Sequence, residues 1–205
     1  MSQSSSIPFD NWLIEARRGD ANRLDHLLEA YRNYLRLLAR LQLGRMLQIR
    51  VSPSDLAQES ILVARKAFHG FRGDTEPEML SWLRSVLAQR LIDANRFHSA
   101  GRRDFQIEHR LDDALDRSSC DMRAFLSPDS NSPSRIVSKR EQEVILADAL
   151  ARLPADYSEV IVLRHLDGKS FAQVAETMNR TVPSVKSIWT RAMTRLRTEL
   201  GEEIG

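Results

Sequence analysis

Apolar residues recur every three or four positions along most of this chain, a helical interval. Trp12, Leu13 and Ala16, then Leu24, Leu27, Leu28, Tyr31, Leu35 and Leu38, keep that spacing between Asp10 and Arg50. Gly19-Asp20 marks a break between two helices. Ser52-Pro53-Ser54-Asp55 opens a third: Ser52 can cap, Pro53 suits the first helical position, and Asp55 meets the positive helix end. That helix is expected to reach about Phe68. A loop follows from Phe71 to Pro77, then a fourth helix from about Glu78 to Phe97. Between His98 and Arg135 no period persists, and SPDSNSPS, Ser127 to Ser134, is rich in breakers, so this stretch reads as a partly disordered linker. The helical pattern resumes with Val144 to Arg152, Pro154 to about Leu166, Ser170 to Met178 and Thr181 to Leu200. The predicted fold is all-α. Two small helical domains, 1–98 and 139–205, are joined by a flexible acidic linker, 99–138.

Composition supports this division. The 205 residues suffice for one large domain or two small ones. Units this small bury only about 60 to 65% of their unfolded surface, so clear apolar stripes must carry their stability. The net charge of +2 is modest, but its placement is uneven. Arg84 to Arg103 carries +4, Asp104 to Asp121 carries −4, and Pro183 to Leu200 carries +3. The single cysteine, Cys120, excludes an internal disulfide or a multi-cysteine metal site and fits a reducing compartment. The start, MSQSSS, lacks the parts of a signal peptide, and no apolar run approaches membrane-spanning length. A soluble cytoplasmic protein with no membrane association is expected. No phosphate-binding loop, HExxH, nucleophile elbow or clustered histidines occur, so neither enzymatic activity nor a cofactor or metal is expected.

The densest chemistry lies near the end of the chain. Phe171, Val174, Ala175 and Met178 form one stripe of a short helix, Asn179 suits a left-handed ending, and Thr181 can cap the next helix. Short helix, tight turn and longer helix make the helix-turn-helix plan. In the last helix Val185, Ile188, Trp189, Ala192, Met193 and Leu196 share one face, and Lys186, Ser187, Thr190, Arg191, Thr194 and Arg197 share the other. Cations and hydroxyls without an acid before Glu199 suit phosphates and base edges, although a basic face can also be merely solvated. Two other segments are amphipathic. Around DLAQES, Leu56, Val63 and Ala67 can pack inward while Asp55, Gln58, Glu59 and Arg65 point outward. In WLRSVLAQRLIDANR, Leu80, Leu83, Leu87, Leu91 and Ala94 line one side and Arg84, Ser85, Gln89, Asn95 and Arg96 the other. Arg90 lies nearer the apolar side, as a structural guanidinium would, and Trp82 is expected in the core.

DLAQES with KAFHGFRGD, then WLRSVLAQRLID, then ALARLPADYSEVIVLRHLDGKSFAQVAETMNRTVPSVKSIWTRAMTRLR, in this order around a linker, resemble bacterial RNA polymerase sigma factors of the extracytoplasmic-function class. The resemblance runs from about Asp10 to Leu200. It implies a promoter-specificity subunit without catalysis, partnered by core RNA polymerase and promoter DNA. Asp55, Gln58 and Glu59, with Arg65 at the rim, would face the clamp helices of the polymerase's largest subunit. The loop after Gly73 and the helix from Trp82 to Arg96 would read and open the −10 element. There, Asp74 and Thr75 are expected at a pocket for an extruded base, and Arg84, Gln89, Asn95 and Arg96 along the strand. Ser184, Lys186, Ser187, Thr190 and Arg191 would meet the −35 element, with Arg195 or Arg197 on its backbone. Asn179, Arg180 and Pro183 depart from the family pattern in the turn, where Gly, an apolar residue and Gly are usual. The acidic linker fits either a nucleic-acid channel of the enzyme or a solvated tether. Control falls to an anti-sigma factor or to synthesis. The alternative reading is a stand-alone helix-turn-helix repressor or activator, which would bind duplex DNA without the polymerase.

Overall fold

The computed structural model describes residues 8–45, 51–98, 105–126 and 141–204. Its contacts divide the chain into two compact units that part between Ser119 and Cys120. The described elements are helical throughout, as the spacing predicts.

In the first unit, α1 (Phe9–Arg17) buries Phe9, Leu13 and Ala16 and ends at Gly19, whose φ of +96° suits a residue without a Cβ. Asp20 then caps α2 (Ala21–Glu29), its carboxylate accepting from the Arg23 N–H at 3.1 Å. The sequence predicts no stop between Glu29 and Arg32, but a turn there separates α2 from α3 (Arg32–Arg45). The apolar series hides the break because Leu27, Leu28, Tyr31, Tyr34, Leu35 and Leu38 are all buried on both sides of it. Ser52 caps α4 (Pro53–Ala67) with Pro53 in its first turn, as expected. The buried face of α4 is built from Leu56, Ala57, Ser60 and Ala64. Val63 and Ala67, expected inside, are only half-buried. Small residues on the buried stripe let α3 and α5 pack closely against α4. A 3₁₀ turn (Phe68–Gly70) leads to the loop before α5 (Glu76–His98).

The stretch expected to be a flexible linker contains a helix, α6 (Phe105–Leu126). Leu115 and Met122 are buried at helical spacing, and between them Ser118 and Ser119 are buried too. Those serines conceal the stripe, because small polar residues read as solvated when their partners are distant in sequence. Here the partners are on α3: Gln42 Nε2 donates to the Ser118 hydroxyl at 2.9 Å and to the Ala114 carbonyl at 3.2 Å, and the Tyr34 and Ser119 hydroxyls are 2.8 Å apart. The breaker-rich segment, Ser127 to Ser134, lies outside the described residues.

The second unit contains α7 (Glu141–Arg152), α8 (Ala155–Ile161) running into a π-helical turn (Val162–Leu166), α9 (Phe171–Thr177) and α10 (Val182–Ile204). Helix α10 packs on α7, α8 and α9. Val185, Ile188, Ala192 and Leu196 provide its buried stripe, joined by Val160, Ile161, Leu146 and Leu150.

Candidate nucleic-acid and polymerase interfaces

Helix α9 opens with a capping box. The Ser170 hydroxyl accepts from the Gln173 N–H at 3.3 Å, and the Gln173 side chain accepts from the Ser170 N–H at 2.9 Å. It closes on Asn179 at φ 51°, with the Arg180 N–H donating to the Ala175 carbonyl and the Asn179 N–H to Glu176. This is a Schellman ending in which Asn replaces the usual glycine. Arg180 also has a role the family pattern does not suggest: its guanidinium pairs with Asp156 on α8 and ties the turn to the body of the unit. The Ser184 N–H then donates to the Thr181 hydroxyl at 3.4 Å, and α10 begins. The predicted helix, turn and helix are therefore all present.

Lys186, Ser187, Thr190, Arg191, Thr194, Arg195 and Arg197 are exposed, and Ser184 is half-buried. Thr190, Thr194 and Thr198 each donate to the carbonyl four residues earlier, which holds their side chains against the helix. Arg191 donates from Nε to the Ser187 carbonyl and from Nη2 to the Ser187 hydroxyl, both at 3.3 Å. Arg195 is less available than the sequence suggests. Its Nη2 lies 2.8 Å from Glu199, an acid that is itself buried and also held by Arg152 at 3.0 Å. Phe171 forms the floor beside this face, with the Arg164 guanidinium 5.0 Å and the Lys186 ammonium 5.8 Å from its ring centroid. Trp189 packs edge-on to Phe171 and donates from Nε1 to His165 Nε2 at 2.9 Å. Partial burial, and then the Arg164 charge, hold the His165 pKa below its ordinary value.

In the first unit the loop from Phe71 to Thr75 is braced from two sides. Phe71 packs tilted against Trp82, ring centroids 5.0 Å apart, and stacks on Phe68 at 6.1 Å. Such a pair contributes about 0.5 to 1.5 kcal/mol beyond the area it buries. Trp82, read as core, is half-buried against these rings. Glu78 accepts from the Thr75 hydroxyl at 2.7 Å and from the N–H groups of Asp74 and Thr75 at 2.9 and 3.0 Å. The Thr75 hydroxyl, followed by these two N–H groups, pulls the Glu78 pKa down. From α1, Arg17 donates to the Asp74 carboxylate at 2.7 Å and to the Gly73 carbonyl at 2.6 Å. Asp74 and Thr75 are thus exposed members of an ordered loop.

One expected strand contact needs correction. Arg84 is 9% exposed and turned inward: its Nε lies 2.9 Å from Asp116 on α6, and Nη1 donates to the Tyr34 hydroxyl at 3.1 Å. Helical spacing put it on the outer face, but α6 covers that part of α5. Gln89 is exposed and bonded to Asp93 at 3.0 Å, while Asn95 is half-buried. Arg96 stands in the last turns of α5, and its side chain lies outside the described residues. Arg90 pairs with Asp93 at 2.6 Å, the structural role expected of it.

On α4, Asp55, Gln58 and Glu59 are exposed along one face. Arg65 is committed to Asp25 of α2, Nε to Oδ1 2.8 Å. Sequence reasoning missed Leu62, 49% exposed. It stands seven residues after Asp55 and three after Glu59, so helical spacing puts it among the three polar residues. Among the described residues no cluster of His, Cys, Asp or Glu could hold a metal ion, and no helix is long and apolar enough to cross a membrane.

A capped short helix, a tight turn and a longer helix with an exposed face of cations and hydroxyls define a helix-turn-helix protein. Comparison with known proteins places that motif: Sigma-70, region 4 matches residues 143–196. The ECF RNA polymerase sigma factor SigD of Mycobacterium tuberculosis is 27% identical over 191 residues, covering 93% of this chain and 83% of its own. The ECF RNA polymerase sigma-E factor of Haemophilus influenzae is 28% identical over 192 residues, covering 93% and 95%. A solved structure of CnrH in complex with the cytosolic domain of CnrY aligns over 94% of this chain and 97% of its own, at 21% identity and a TM-score of 0.35. The matching family model and these relatives support an extracytoplasmic-function sigma factor of RNA polymerase.

Proposed function

We propose that the two units divide the work of promoter recognition while the first also holds the polymerase. The exposed face of α4 supplies the polymerase contact: Asp55, Gln58 and Glu59 orient around Leu62, whose exposed side chain gives the patch an apolar centre. A few directed polar groups around an apolar contact is the pattern of a docking surface, and the clamp helices of the largest subunit are the partner. Arg65 supports that face from behind, by holding α4 to α2. The −10 element falls to the braced loop at Asp74 and Thr75 and to the outer positions of α5, Gln89, Asn95 and Arg96. Arg84 drops out of this set. The −35 element falls to α10, with Ser184, Lys186, Ser187, Thr190 and Arg191 at the groove and Arg195 and Arg197 on phosphates. The protein then acts in the cytoplasm, where the polymerase works, performs no chemistry itself, and is held in check by an anti-sigma factor.

The observation that carries this reading is the exposed face of α10, where four cations and three hydroxyls stand together on a motif that matches Sigma-70, region 4. Reconstitution tests it. Purified protein added to core polymerase should direct transcription from a subset of a genomic promoter library, and the protein alone should bind duplex DNA weakly. Tight binding to duplex without the polymerase, together with no directed transcription, would defeat it.

A further inference from the structure

The loop that the proposed function assigns to an extruded −10 base is not held by its own helix alone. Its local side-chain bonds run to Glu78, within four residues, and the N–H groups of Glu78 and Met79 both donate to the Thr75 carbonyl. The long-range bonds come from Arg17 on α1, 56 and 57 positions away in sequence, which reaches the Gly73 carbonyl and the Asp74 carboxylate with its two Nη atoms. The same guanidinium lies 6.0 Å from the centroid of the Phe71 ring. A planar fork suits two acceptors held side by side in a way that a lysine ammonium does not. Asp74 nevertheless keeps 80% of its side chain exposed. The space under the loop is closed, since a Cβ on Gly73 would meet Phe71 Cζ at 2.7 Å and Glu78 Cβ at 2.6 Å.

From this geometry we infer that Arg17 is a positioning residue for base capture: it fixes and neutralises Asp74 so that the carboxylate accepts from the exocyclic amino group of an extruded base instead of repelling the strand. The inference rests on the proposed −10 role of the loop. Two physical consequences follow. A carboxylate beside a polyanion is unfavourable unless a cation accompanies it, and Arg17 is that cation. A carboxylate has only acceptors, so it favours the two projecting hydrogens of an exocyclic amino group over thymine, whose pairing edge offers a single recessed N3–H between two carbonyls that repel it.

The test uses full-length protein in reconstituted holoenzyme, on promoters carrying each of the four bases at the extruded position. 2-Aminopurine fluorescence in the −10 element reports opening. Arg17→Ala should slow opening about three- to tenfold, most for bases with an exocyclic amino group and least for thymine. Arg17→Lys should recover part of the rate, and Asp74→Asn in the Arg17→Ala background should relieve part of the loss by removing the unpaired charge. A slowing equal for all four bases, or one that Asp74→Asn leaves unchanged, would assign Arg17 a purely structural role and overturn the inference. Core-polymerase affinity and thermal stability measured on the same variants should stay near wild type, and a large drop in either would overturn it as well. Should the wild-type holoenzyme open none of the promoters, the sigma reading itself fails. Opening by wild type with no change in Arg17→Ala sinks only the role of Arg17.

Discussion

Lys186 and Arg191 present their charges to solvent in different ways. The Lys186 ammonium lies 5.8 Å from the centroid of the Phe171 ring, while Arg191 is bonded back to Ser187 and would lose less freedom on meeting DNA. Replacing either by Ala should cost about 1 to 3 kcal/mol of −35 affinity, read by titration of promoter DNA with holoenzyme, with core binding intact. Loss of core binding instead would assign α10 to the polymerase. Gly73 is constrained by packing. Gly73→Ala puts a Cβ where Phe71 and Glu78 already sit, so the loop must shift, and unfolding in urea should show a loss of about 1 to 3 kcal/mol. The residues of the candidate sites were named from helical spacing together with the family resemblance, and exposure agrees for Asp55, Gln58, Glu59, Lys186 and Arg191. It fails for Arg84, because spacing tells which side of a helix a residue occupies and not what else packs there.

At the scale of elements, α6 and the turn before α10 show how partners decide structure. Tyr34→Phe removes a hydroxyl that links Ser119 of α6 to Arg84 of α5. Leaving these buried groups short of a partner should destabilise the first unit by about 1 to 3 kcal/mol and raise amide exchange along α6. In the second unit, Asn179 can be exchanged for Gly with little change, whereas Asn179→Val should cost about 1 to 2 kcal/mol in thermal unfolding, since a β-branched residue resists φ 51°. His165 adds a pH dependence to the same unit. Its neutral Nε2 accepts from Trp189, and its folded pKa lies below the ordinary 6.5, so between those two values the unfolded chain holds more protons. Stability is therefore complete above about pH 6.5 and is lost as pH falls through that window. Unfolding of the second unit measured at about pH 7.5 and pH 5.5 should show the decline, and His165→Gln should flatten it. An NMR titration of His165 above 6.5 would contradict this.

For the molecule as a whole, there are two compact units on one chain, and under the proposed division of promoter recognition each element becomes an intramolecular target once the other is held. Avidity of this kind gains about 10² to 10⁴ over a single contact without any new bond. A promoter with its −35 element scrambled should therefore lose occupancy by a factor in that range, measured by filter binding of holoenzyme, and the loss should shrink for the Lys186→Ala protein. The charge order along the chain, basic then acidic then basic, bears on the same point. The acidic stretch keeps one of its members, Asp116, at Arg84, so part of what reads as a tether is a docked helix.

Local signals in the chain determined the caps at Ser52 and Thr181, the left-handed turn at Asn179 and the apolar faces of α5 and α10. Each depends on residues within a turn or two, and neighbours in sequence are enough to satisfy them. Tertiary structure decided the rest. Arg84 is buried because Tyr34 and Asp116 reach it from two other helices, and α6 is ordered because Gln42 and Tyr34 satisfy serines more than seventy positions away. The loop from Phe71 to Thr75 takes its long-range bonds from Arg17, 56 and 57 positions off in sequence. Helical periodicity records which face is apolar, but a buried polar contact leaves no period, since its partner is fixed only when the chain has folded.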